Sequence, residues 1–228
     1  MVDREENWRG NGVIAAVLFL VSYIIYGSQP KVGASTEKLV AFYDGDRTRI
    51  LIASVVFGFA ILCLMWFAAA LASVLNDAGK EGWGRAATAA SAAIGAVYLV
   101  LITLWSALAY TIAGSANDQV TSALNDLTWV LHNFAWFPIA MLIMAGSFGL
   151  WRAGIFSNAA FGAGVTAMVL VLLGVTTWGS DGVWAADGAY VRFVPTLAML
   201  VWLAAVSGYL MRLSASTVST PKGTTVPA

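Results

Sequence analysis

The chain has 228 residues, 60% hydrophobic and only 11% charged, with a mean hydropathy of +0.79, which excludes an ordinary soluble domain. Twelve Lys and Arg balance twelve Asp and Glu, so there is no basic face for nucleic acid and no acidic tail. One cysteine, Cys63, and one histidine, His132, exclude an intrachain disulfide and any metal chelate built from cysteine and histidine alone.

A hydrocarbon core of about 30 Å takes roughly twenty helical residues to cross. Six apolar runs approach or exceed that length: 12–27, 50–75, 86–113, 127–150, 159–178 and 193–211. They lack the apolar/polar alternation of a membrane barrel, so the expected fold is all-α. It is a polytopic transmembrane bundle of six spans over residues 1–213, followed by a disordered Ser-, Thr- and Pro-rich tail at 214–228.

The first run is the shortest. Followed by Val32-Gly33-Ala34, it has an alternative as a cleaved signal. Against that, the leading stretch sets Asp3, Glu5 and Glu6 beside only Arg4 and Arg9, so it is read as a span. In the connection that follows, Ser35 is a candidate N-cap, and apolar residues three and four apart through Tyr43 predict a short amphipathic helix at the interface or across the bundle. Next come Asp44, Asp46, Arg47 and Arg49. Aspartates suit a helix start and arginines reach lipid phosphates. Alternatively, Tyr43, Asp46, Arg47 and Arg49 form an outer mouth with Asp118, Asp126, Asp181, Asp187 or Arg192.

The third run pairs small residues four apart, Ala89 with Ala93, Ala92 with Ala96 and Ser91 with Gly95; later runs add Ala145 with Gly149 and Ala160 with Gly164. These are expected seams, because helices in lipid associate through close backbone approach. Residues 116–126 read as an outer connection. The fourth run then opens with the most informative stretch, where Trp129, His132 and Trp136 share a helical face, Asn133 lies beside it, and Pro138 removes a hydrogen bond. An imidazole or amide at that depth needs a partner, either a structural interhelical hydrogen bond or a ligand. Trp129, His132, Asn133, Trp136 and the preceding Asp126 are therefore the candidate ligand-binding residues. Of the tryptophans, Trp83, Trp151, Trp178 and Trp184 fall at span ends or in loops, whereas Trp66, Trp105, Trp136 and Trp202 fall inside spans and raise the question of a cavity. The last outer connection, 179–192, carries the turn signals Asp181-Gly182 and Asp187-Gly188.

Catalytic patterns fail. Ala145-Gly146-Ser147-Phe148-Gly149 resembles a nucleophile elbow but lies within a helix, about 22 Å along it from His132, and no histidine on another helix exists to serve Ser147. No metal motif, phosphate-binding glycine loop or paired intramembrane carboxylate is present. A haem held by two histidines of one chain is impossible, though His132 with a methionine stays open. No catalytic residue, metal or cofactor is assigned.

With both ends cytoplasmic, the inner side holds Arg4, Arg9, Lys80, Arg85, Arg152, Arg212 and Lys222, seven in all, against five outside, Lys31, Lys38, Arg47, Arg49 and Arg192. Four of those five sit in the single long connection, so that orientation is favoured. The six runs together with Phe42-Tyr43-Asp44-Gly45-Asp46-Arg47-Thr48-Arg49-Ile50-Leu51 resemble uncharacterised six-helix integral membrane proteins of high-GC bacteria, a domain-of-unknown-function group of about this length, over residues 12–212. That resemblance implies a bacterial inner-membrane protein and transfers no activity. The expectation is a non-enzymatic binding or assembly subunit in the lipid bilayer, its outer mouth taking a small amphipathic ligand or a membrane protein partner. The alternatives are a solute-transport component binding an amphipathic ligand, and a membrane enzyme needing an added cofactor.

Overall fold

The computed structural model describes residues 8–115 and 117–218, the side chains of 214–218 excepted. Among these residues it is all-helical, without strands, and has seven α-helices: α1 (Asn11–Tyr26), α2 (Thr36–Tyr43), α3 (Arg47–Asp77), α4 (Glu81–Ala107), α5 (Asp118–Arg152), α6 (Asn158–Gly174) and α7 (Ala189–Val218). A π-turn (Leu108–Ile112) and a 3₁₀ turn (Ala113–Ser115) continue α4. Four helices, Arg47–Asp77, Glu81–Ser115, Asp118–Arg152 and Ala189–Leu213, are long and apolar enough to cross a membrane, while α1 and α6 are apolar but shorter.

Local chemistry sets the ends. After α3 and α5 the chain turns through Gly79 (φ 68°) and Gly154 (φ 72°), the left-handed position a side chain resists. The orphan carbonyls there are taken up by Lys80 N to Leu75 O at 2.7 Å and Ile155 N to Leu150 O at 2.9 Å. Asn117 and Ser157 cap α5 and α6, their side chains accepting from Val120 N at 3.4 Å and Ala160 N at 3.2 Å. Ser35 occupies the N-cap of α2 with an extended backbone, but its hydroxyl makes no cap bond; its carbonyl takes the first-turn amides instead.

Two expected boundaries move. Residues 118–126, read as an outer connection, are the first turns of α5: Asn117 caps them, and Thr121, Asn125 and Thr128 form a buried polar stripe along that helix. Polarity there serves the interior, so hydropathy misplaced it. The helix also continues through Pro138. At the other end α7 runs on through Val218, since no residue before Pro221 breaks it; the remaining tail, 219–228, lies outside the described residues.

Six helices close a ring in the order α1, α3, α4, α5, α6, α7 and back to α1, with few contacts across the middle. Where backbones approach, glycine is required. A Cβ on Gly149 would stand 2.8 Å from Leu75 and 2.9 Å from Trp83, and one on Gly146 would stand 2.7 Å from Trp202. Gly164 lies against Ser147, whose hydroxyl accepts from Trp202 Nε1 at 3.0 Å, which gives this buried serine a structural role. Ser91 and Gly95 are likewise buried. The pairs Ala89 with Ala93 and Ala92 with Ala96 are not seams, because they face outward; spacing finds a small-residue stripe without telling which side of the helix meets a neighbour. The connections 27–46, 108–115 and 175–188 gather at one end of the ring, the loop end. Trp8, the Arg9 backbone and Ser207 meet at the other, where Ser207 donates to the Arg9 carbonyl.

Candidate functional site

The ring axis is not filled. Just under the loop end lies a cavity of about 70 Å³, walled by aromatic side chains from opposite sides of the ring. Helix α1 supplies Phe19, Tyr23 and Tyr26, α3 supplies Phe57, and α4 supplies Tyr98 and Trp105. Trp129, His132 and Trp136 of α5 and Thr196 and Met199 of α7 complete the wall, with Gln29 and Arg192 at the loop end. Spacing predicted the α5 face, and its three rings do stand in series, His132 edge-on to Trp129 at 6.1 Å and to Trp136 at 5.0 Å. A His132 ring nitrogen faces the Val191 carbonyl, and the residue is part of the cavity wall. Opposite, Trp105 stacks on Tyr26 at 4.2 Å and meets Phe57 edge-on at 5.7 Å.

Polar groups here are incompletely satisfied. The Trp105 and Trp136 indole nitrogens and the Asn133 side-chain oxygen are buried and have no hydrogen-bond partner, whereas the buried Tyr26 hydroxyl faces that of Tyr43. Each unpartnered group normally costs on the order of 1–3 kcal/mol, and both tryptophans belong to the cavity wall. Trp136 Nε1 lies against Gly174, whose Cβ position would be 3.4 Å away. Trp105 and Tyr26 are both part of the cavity wall.

Residues 28–33 form a strap over the cavity, preceded by the left-handed Gly27 (φ 78°) and ending at the left-handed Gly33 (φ 68°). Every tie comes from α5, α7 or the connection before α7. Trp129 Nε1 donates to Pro30 O at 2.9 Å, Asn125 Nδ2 to Lys31 O at 3.2 Å and Gln29 Nε2 to Thr128 Oγ1 at 2.6 Å. Asp126 Oδ1 accepts from Gly33 N at 3.2 Å and Asp187 Oδ2 from Val32 N at 3.0 Å. Arg192 crosses beneath, donating to Asp187 O at 2.7 Å, Ser28 Oγ at 3.2 Å and Gln29 O at 3.3 Å, with its guanidinium 4.8 Å from the Trp129 ring centre. Asn133, beside the expected face, donates to Ala186 O at 3.3 Å and holds the last connection.

The expected outer mouth assembles differently. Tyr43 is fully buried, its hydroxyl donating to Asn125 Oδ1 at 3.0 Å, and burial keeps the phenol protonated well above its ordinary range. It is an anchor of α2, not a mouth residue, because a ring two turns along a helix from Glu37 can turn inward as readily as outward. Arg49 pairs with Asp46 at 2.6 Å, and Arg47 lies 4.4 Å over the Tyr110 ring. Neither forms an ion pair with Asp118, Asp126, Asp181 or Asp187. Asp46 and Arg192 do not pair, but both line a surface depression of about 760 Å³ outside the strap. Gln29 and Arg192 border both this depression and the cavity. Sequence reasoning missed Gln29, Tyr26 and the position of Arg192; the one signal available was an intermediate polar pair, Ser28-Gln29, between an apolar run and Pro30.

Among the described residues no three His, Cys, Asp or Glu side chains come together to hold a metal. No family model matches the chain, and comparison with curated proteins and with solved structures likewise finds no match. The arrangement can enclose a small molecule between aromatic rings and offer it hydrogen bonds.

Proposed function

We propose that this protein is a non-enzymatic, multi-pass binding subunit of the bacterial inner membrane, which takes a small amphipathic molecule from the outer side into the axial cavity. In this reading it belongs with the six-helix domain-of-unknown-function group, and both termini are cytoplasmic. Six crossings are supported by the closed ring: α1 and α6, of 16 and 17 residues, reach about 24 to 26 Å and are flanked at both ends by the same connections as their long neighbours. An interfacial, amphipathic α2 is supported by Leu39 and Tyr43, fully buried beside the exposed Glu37 and Lys38. The loop end is then the outer face.

The observation that carries the reading is the aromatic cavity on the ring axis, walled by Tyr26, Phe57, Trp105, Trp129, His132 and Trp136, beneath a strap flanked by two left-handed glycines. Pockets for small ligands are mostly apolar with a few placed polar groups. Native mass spectrometry of the protein released from mild detergent tests it. The expected result is a retained small molecule at one per chain, absent from a Thr196→Trp variant whose indole fills the cavity. A bare wild-type chain would overturn the reading and turn attention to the outward alanine face of α4 and a protein partner. A transport component remains the second reading, favoured by the way Gln29 and Arg192 connect the depression to the cavity.

A further inference from the structure

The charges around this route are one-sided. Among the described residues, Arg192 is the only formally charged side chain in the cavity wall. Its guanidinium has five N–H donors, and three of them go to neutral acceptors: a backbone carbonyl of Asp187, one of Gln29, and the Ser28 hydroxyl. No described carboxylate pairs with it, and two donors are left over. The outer depression repeats the pattern. Lys31, Lys38 and Arg192 line it against the single carboxylate of Asp46, already engaged by Arg49 at 2.6 Å. The strap's other carboxylates, Asp126 and Asp187, are bound to the Gly33 and Val32 amides and border neither space. The charge at the mouth is therefore net positive, and a concave site of one sign concentrates the opposite one.

Size limits the body. At roughly 10–15 Å³ for each water, about 70 Å³ holds about five waters, the space of one substituted six-membered ring. We propose that the ligand is a small ring compound bearing an anionic head of the carboxylate type, its ring between Trp105, Phe57 and Trp129 and its head on the free donors of Arg192. This rests on the reading that the cavity takes a small molecule. The head stays at the half-buried mouth, where it keeps part of its hydration, so the apolar cavity receives only the ring.

Fluorine NMR on the full chain in phosphatidylcholine nanodiscs, with empty discs as the partition control, tests this using 4-fluorobenzoate, 4-fluoroacetophenone and 4-fluorobenzylamine. The expected result is that benzoate binds about tenfold more tightly than the ketone and that the ammonium does not bind. Arg192→Gln should abolish that preference while leaving ketone affinity within about threefold, and Arg192→Lys should restore part of it. A ketone that binds as well as benzoate, or an ammonium that binds best, overturns the anionic head and leaves the cavity reading standing. Equal loss of benzoate and ketone in Arg192→Gln also overturns it, making Arg192 only an anchor of the strap. Displacement of benzoate by phosphatidylglycerol added to the discs assigns the site to a lipid head and overturns the small molecule. If no compound binds the folded wild type, the cavity reading itself fails.

Discussion

The knot that holds the strap and α2 to α5 makes a quantitative prediction. Tyr43 is fully buried and donates to Asn125 Oδ1 at 3.0 Å, and that oxygen also accepts from Gln29 Nε2 at 3.4 Å. Tyr43→Phe therefore removes one hydrogen bond without orphaning its acceptor, and should cost about 1 kcal/mol. Asn125→Ala removes the bonds from Asn125 Nδ2 to Lys31 O and to Asp126 together with the acceptor of the Tyr43 hydroxyl, for a loss of about 3 kcal/mol. In the double variant the Tyr43–Asn125 bond is lost only once, so the total should be about 3 kcal/mol and not the additive value of about 4, a coupling of about 1 kcal/mol. Reversible unfolding in mixed detergent micelles, followed by tryptophan fluorescence, measures all four corners of the cycle. Additive single effects, or Asn125→Ala costing no more than Tyr43→Phe, would refute the claim that this buried network ties the strap down.

Neighbouring glycines of α6 should behave oppositely. A Cβ on Gly164 would stand 2.6 Å from Ser147 Cβ and push on the serine that accepts from Trp202, so Gly164→Ala should cost about 1–3 kcal/mol, whereas Gly162→Ala meets nothing within 4 Å and should be neutral or slightly stabilising in the same unfolding assay. Asp46→Asn breaks a pair whose side chains are 41% and 43% exposed; its stability should change by less than about 1 kcal/mol, while 4-fluorobenzoate should associate faster as the depression loses its carboxylate, measured by NMR line shape. For topology, in a Cys63→Ser background, Lys38→Cys and Glu81→Cys should react with an impermeant maleimide from opposite sides of sealed vesicles. Labelling of both from one side would break the six-crossing reading.

How much of this was legible beforehand depends on what kind of information each feature needs. Hydropathy located the long helices because lipid imposes a length, and three- and four-residue spacing put Trp129, His132 and Trp136 on one face because helix geometry is local. The cavity needed more. Tyr26, Trp105 and Arg192 come from other helices, and only the order of the ring shows that they meet those three. The start of α5 was misread because Asn117, Thr121 and Asn125 look like a polar connection when they are a cap and a buried stripe. The alanine pairs of α4 were misassigned for the converse reason: in lipid, small outward residues and small packed residues have the same composition, and nothing local distinguishes them. Tyr43 was placed at the mouth by its charged neighbours, whereas its ring follows the inward face of α2.

A density map of the protein in a lipid nanodisc, at a resolution that separates side chains, would show whether the ring axis holds a ligand. Compact density of single-ring size is expected there between Trp105 and Trp129, reaching Arg192, with the strap at residues 28–33 closed above it. A collapsed axis in which Phe57, Trp105 and Met199 touch, or a cavity holding only water in protein taken straight from its native membrane, would contradict it.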